Sequence, residues 1–157
     1  MRALLGSPES CSPVPARSRS SRYLFEATFD AKPEQLAAIR RIVRDHLQWW
    51  AVSAETTERL LYAVNELLTN VIRHVPADEQ GRKTTALLMQ QVPGGVAAVV
   101  RDKGSERPVQ VVAGPTAESG RGLTLVRALV DELEVAETGH GKDTWVFITD
   151  PASPVGP

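Results

Sequence analysis

The chain has almost no cysteine. Cys11 is its single thiol, so no internal disulfide can form, and a reducing compartment is the expectation. Histidines are few as well: His46, His74 and His140 lie far apart and share no zinc-ligand spacing. Long apolar runs are missing, with nothing near the roughly 18 residues of a membrane span. Leu4 and Leu5 are followed by no apolar stretch of the secretory kind. Neither sign of charge dominates: 18 Lys and Arg stand against 19 Asp and Glu, so no global field draws the chain to nucleic acid or an anionic membrane. No nucleic-acid partner and no membrane partner are expected, and the expected location is cytoplasmic.

What is present is one domain's worth of amphipathic pattern. Residues 1–22 are rich in Ser, Pro and Arg without periodicity and read as a disordered tail. The end, 150–157, reads as a second tail. Between them lies a single domain, 23–149. Tyr23–Phe29 alternates as a strand. Pro33 opens a helix through about Trp50, with Leu36, Ile39, Val43 and Leu47 at helical spacing. Ser53 is the expected N-cap of a second helix that stops before Pro76. Thr84–Val92 and Val96–Arg101 read as strands joined at Pro93-Gly94-Gly95. A glycine- and proline-broken loop, 102–120, leads to a helix in "GRGLTLVRALVDEL", and Leu133–Glu137 and Asp143–Thr149 close the set. Hairpins favour antiparallel pairing. The expected fold is an α/β two-layer sandwich, a mixed and mostly antiparallel sheet covered on one face by three helices.

Three segments carry chemistry. With about 100° per residue and Glu66 at zero, Asn70 falls at about 40° and His74 at about 80°, bordering the apolar arc of Leu60, Val64, Leu67 and Val71. Such a border suits a carboxylate and an amide aimed at a ligand; it is also where any amphipathic helix keeps polar residues. In "VVRDKGSERP" an apolar strand ends at Asp102 and then Gly104. An aspartate there can accept from an exocyclic amine while glycine admits a flat ring, although a plain Asx turn reads the same way. In "ESGRGLTLVRALV" Gly120, Arg121 and Gly122 lead into a helix, either as a phosphate-binding N-terminus or as a glycine hinge. Two familiar phosphate motifs fail: a P-loop ending at Gly141-Lys142 would need Gly where Ala136 stands and Ser or Thr where Asp143 stands, and no G-x-G-x-x-G follows a strand.

In this order, "NELLTNVIRH", "VRDKGSERP", "SGRGLTLVRAL" and "GHGKDTW" resemble the N, G1, G2 and terminal glycine/threonine boxes of the histidine-kinase-like ATPase superfamily. The resemblance covers roughly residues 23–149 and is nearest to the small anti-sigma-factor serine/threonine kinases and similar ATP-binding regulators. It implies a Bergerat-type fold with ATP and Mg²⁺ as ligands. It implies that Asn70 is the Mg²⁺ ligand and Glu66 the general base, with His74 near the phosphates. Asp102 would then read adenine beside Gly104, and Gly120, Arg121, Gly122 and Leu123 would form the phosphate-facing segment. The last box departs from the family pattern. Its third position after the Gly-Lys start is Asp143, with Thr144 one residue later, so strand alternation implies that Thr144 replaces the family threonine only with a shift of register.

The chain is too short for a complete sensor kinase or a DNA-remodelling ATPase. The resemblance therefore implies a kinase transferring the ATP γ-phosphate to a Ser or Thr of an anti-sigma-factor antagonist. The alternative is a non-catalytic ATP-binding module that sequesters a sigma factor or antagonist. A homodimer is compatible with either.

Overall fold

A computed structural model describes residues 17–20, 23–103, 117–139 and 141–153. Six strands, β1 (Arg17–Ser20), β2 (Leu24–Asp30), β3 (Thr84–Val92), β4 (Gly95–Asp102), β5 (Glu132–Thr138) and β6 (Gly141–Thr149), form one sheet in the order β1-β2-β3-β4-β6-β5. Among the described residues three α-helices accompany them: α1 (Leu36–Trp49), α2 (Ala54–His74) and α3 (Ala117–Leu129). This is the expected α/β sandwich. Every pairing among the described strands is antiparallel, so the sheet is not mixed. The reason lies in the connection through α3. β4 and β5 run the same way, but β6 inserts between them and pairs antiparallel with both.

Strand alternation decides what faces the helices. Phe25, Ala27 and Phe29 of β2, Leu87 and Met89 of β3, Val96, Ala98 and Val100 of β4, and Val146 and Ile148 of β6 are buried on one face. The register aligns them in rows, such as Ala27–Leu87–Val100–Thr144. From the helices, Ile39, Val43 and Leu47 meet Leu60, Val64, Leu67, Leu68 and Val71 in the same core. Of the paired tryptophans, Trp50 is 3% exposed and Trp49 52%.

The end of α1 places a non-glycine residue in a glycine position. The Val52 N–H reaches the Leu47 carbonyl and the Ala51 N–H the Gln48 carbonyl, both at 2.9 Å, the double closure of a Schellman turn. Ala51 there has φ 60° and is exposed. A methyl in the left-handed region costs about 1–2 kcal/mol, and glycine returns part of that to chain entropy. Ala51→Gly is therefore expected to stabilise the fold by about 0.5–1 kcal/mol in denaturant titration. No gain would mean that the Ala51 methyl is held by packing.

Both tail assignments need correction. Arg17–Ser20, placed in the disordered N-terminal segment, pairs with Phe25–Thr28 as the edge strand β1. Its alternating Arg and Ser carry no apolar signal, because an edge strand needs only backbone partners. Asp150, placed in the C-terminal tail, is 1% exposed. Its carboxylate accepts from the Ser53 N–H at 3.3 Å and from the Thr56 hydroxyl at 3.4 Å. It thus joins Ser53, whose hydroxyl accepts from the Thr56 N–H at 3.3 Å, in capping α2.

Candidate nucleotide-binding site

α2 lies over β4 and β6, and its position is fixed at both ends and along one side. The Ser53 and Asp150 cap holds the start. Arg59 Nε donates to the Leu129 carbonyl at 2.8 Å, tying α2 to the end of α3. Arg40 donates to Asn65 Oδ1 at 3.0 Å, drawing that amide toward α1. Glu66 and Asn70, one turn apart, remain half-buried at the margin of the apolar face, while His74 at the helix end is exposed.

Beneath α2 the sheet presents buried polar groups where an apolar row would be expected. Asp102, the last residue of β4, is 4% exposed and Thr144 of β6 is 6% exposed. Thr144 pairs with Val100, two residues before Asp102, so the threonine hydroxyl and the carboxylate share the helix-facing side. Asp143 points to the other face, where Arg101 holds it with contacts of 2.9 and 3.1 Å. That hydrogen bond raises the Arg101 guanidinium above its ordinary value.

Two groups escaped the sequence reading. Thr85 is 1% exposed and sits directly opposite Asp102 on β3; only the long-range register reveals it. Gly141, at φ 151°, backs onto the end of β4 so closely that a Cβ would lie 2.0 Å from the Asp102 carbonyl oxygen. Its place in a Gly-x-Gly turn was visible, but its neighbour was not.

Leu123 of α3 is half-buried and packs against the core. Gly120, Arg121 and Gly122 lie inside α3, which begins at Ala117, and not ahead of it as the glycines suggested. Gly104 lies outside the described residues. A depression of about 460 Å³ lies mainly on the opposite sheet face, lined by Glu26, Thr28, Ala86, Arg101 and Asp143, and it reaches Asp102 at the end of β4.

The donor set suits a nucleotide with its dication. A buried carboxylate and hydroxyl can read a ring edge, and the half-exposed Asn70 amide oxygen is a hard ligand. Among the described residues no group of three or more His, Cys, Asp or Glu is placed to hold a metal alone. Mg²⁺ typically relies on one or two protein oxygens, phosphates and water. Among the described residues no helix is long and apolar enough to cross a membrane.

An antiparallel sheet layered with three helices, with polar groups buried beneath the second, defines an ATPase-type sandwich. The chain belongs to the histidine kinase-like ATPase domain family, whose model matches residues 29–148. Among solved structures it is similar to one described as the RsbU and RsbW domains of Rv1364c from Mycobacterium tuberculosis. That likeness has 18% identity and a TM-score of 0.64, and covers 85% of this chain and 34% of the other. It is also similar to the histidine kinase domain of the blue-light activated histidine kinase from Erythrobacter litoralis EL346, at 24% identity and a TM-score of 0.50, over 73% of this chain and 60% of that one. In both cases the chain spans less than two thirds of the other, and the likeness is one of fold. No curated protein matches the sequence.

Proposed function

We propose that this chain binds Mg-ATP between α2 and the helix-facing ends of β4 and β6, and transfers the γ-phosphoryl group to a Ser or Thr of a protein partner, an anti-sigma-factor antagonist. The observation that carries the reading is the burial of Asp102 and Thr144 together on the face covered by the helix that bears Glu66 and Asn70. A carboxylate at this strand end is an acceptor that the exocyclic amine of adenine can reach. Family membership supports ATP as the nucleotide. The likeness to a protein with an RsbW domain and to a histidine kinase domain supports a regulator that handles phosphoryl groups.

In this reading Asp102 and Thr144 orient the base, and Gly120 with its neighbours in the first turns of α3 faces the phosphates. Asn70 would hold Mg²⁺, whose charge offsets that of the phosphates. Glu66 takes the proton of the partner hydroxyl as its oxygen bonds to the γ-phosphorus, and the bond from that phosphorus to the bridging oxygen breaks, leaving ADP. The non-catalytic alternative predicts the same nucleotide site without this last step, and a sigma factor or antagonist held by binding alone.

Titration of the full chain with Mg-ATP and with the triphosphate of unsubstituted purine, which lacks the amine, tests the site. Asp102→Asn is expected to weaken ATP by about tenfold to a hundredfold, in line with about 1.5–3 kcal/mol for a hydrogen bond to a charged group. The purine nucleotide should lose far less. Equal losses for the two ligands would remove Asp102 from base recognition.

A further inference from the structure

The last turn of α2 contains a backbone acceptor that its own helix cannot satisfy. In an α-helix the Ile72 carbonyl would accept from the N–H of residue 76. That residue is Pro76, which has none. The helix closes instead at Val75, whose N–H bonds to the Val71 carbonyl at 3.0 Å. Lys83, just ahead of β3, supplies the missing donor: its Nζ donates to the Ile72 carbonyl. This carbonyl lies two residues after Asn70 and two before His74. A cation there also complements the negative end of the helix dipole.

Lys83 is held firmly enough to act as a post. Its N–H donates to Asp30 Oδ1 at 2.8 Å. Its carbonyl accepts from the Ala31 N–H at 3.0 Å and from the Thr85 hydroxyl at 2.9 Å. Asp30 is buried, with Oδ2 3.3 Å from Lys32 Nζ. That approach is an ion pair without hydrogen-bond alignment, since Oδ2 has no hydrogen-bond partner. Thr85 in turn faces Asp102 across β3 and β4. One residue therefore links the turn that carries Asn70 to the strand end that carries Asp102.

We propose that Lys83 is a positioning residue of the nucleotide site, setting the height of the Asn70 turn of α2 above the Asp102 end of the sheet. The inference rests on the ATP reading above. Lys83→Met keeps the aliphatic stem and removes the donor; Lys83→Arg keeps a donor. ATP affinity is measured for each full-length variant with Mg²⁺ and with EDTA. Lys83→Met is expected to weaken ATP about tenfold in Mg²⁺ and much less in EDTA, and Lys83→Arg to recover most of the loss. Adding Pro76→Ala to Lys83→Met restores an N–H at residue 76 and is expected to recover both folding and Mg²⁺-dependent affinity. Unchanged affinity in Lys83→Met, equal losses with and without Mg²⁺, or no recovery in the double variant would overturn the proposal while wild type still binds Mg-ATP. Wild type that binds no ATP would overturn the nucleotide reading, and this proposal with it.

Discussion

Glu66→Gln is expected to leave Mg-ATP binding within about threefold of wild type while slowing phosphotransfer to the partner by about 10²–10⁴-fold, the usual span for removal of a general base. The substitution keeps the shape of the side chain and its place on α2. It removes the negative charge and with it the ability to take a proton. Glu66 is half-buried at the helix margin, and glutamine fills the same volume there. Radiolabelled ATP with the purified partner reads transfer, and calorimetry reads binding. Equal labelling by variant and wild type would take Glu66 out of the chemistry. Binding without labelling in wild type would favour the sequestering module.

Gly141→Ala is expected to be the most damaging single methyl among the described glycines. At φ 151° a side chain is strained whatever the space around it, and the space is absent: the new Cβ would meet the Asp102 carbonyl oxygen at 2.0 Å and Lys103 Cα at 2.7 Å. Backbone strain of about 1–3 kcal/mol adds to overpacking of about 1–3 kcal/mol. Because both obstacles are backbone, relief requires the β5–β6 hairpin to move away from β4, and Asp102 stands at that contact. Stability and ATP affinity should therefore fall together. Gly139→Ala, two residues away where an added methyl meets nothing within 4 Å, is the matched control. If the two variants melt alike and bind ATP alike, the close seating of Gly141 on β4 has no bearing on the site.

The parts of this molecule that were legible in its sequence are those governed by local periodicity. The apolar arc of α2 follows from the 3.6-residue period and its ends from the Ser53 cap and Pro76, and together they place Glu66 and Asn70 at a border that the structure leaves half-buried. Non-local pairing is where the reading stopped. Nothing in "GKDTWVF" says which face Thr144 takes; the β4–β6 register decides it, and the Arg101–Asp143 pair occupies the other side. Asp150 looked like the start of a tail because its role, capping a helix 97 residues earlier in the chain, leaves no local trace. Lys83, between α2 and β3, left no local signal for the same reason. Its partner, the carbonyl of Ile72, is set free by Pro76, and only the Pro76 half of that pair can be read from sequence.

The insertion of β6 between β4 and β5 also bears on how the chain is made. During synthesis β4 and β5 emerge before the strand that both require, so the middle of the sheet stays open until residues 141–149 leave the ribosome. Until then the apolar side of β4, Val96, Ala98 and Val100, has no neighbour along one edge. A nascent chain stalled before Gly141 should be sensitive to protease and bound by chaperones, and one released beyond Asp150 should acquire β6 and the α2 cap in a single cooperative event.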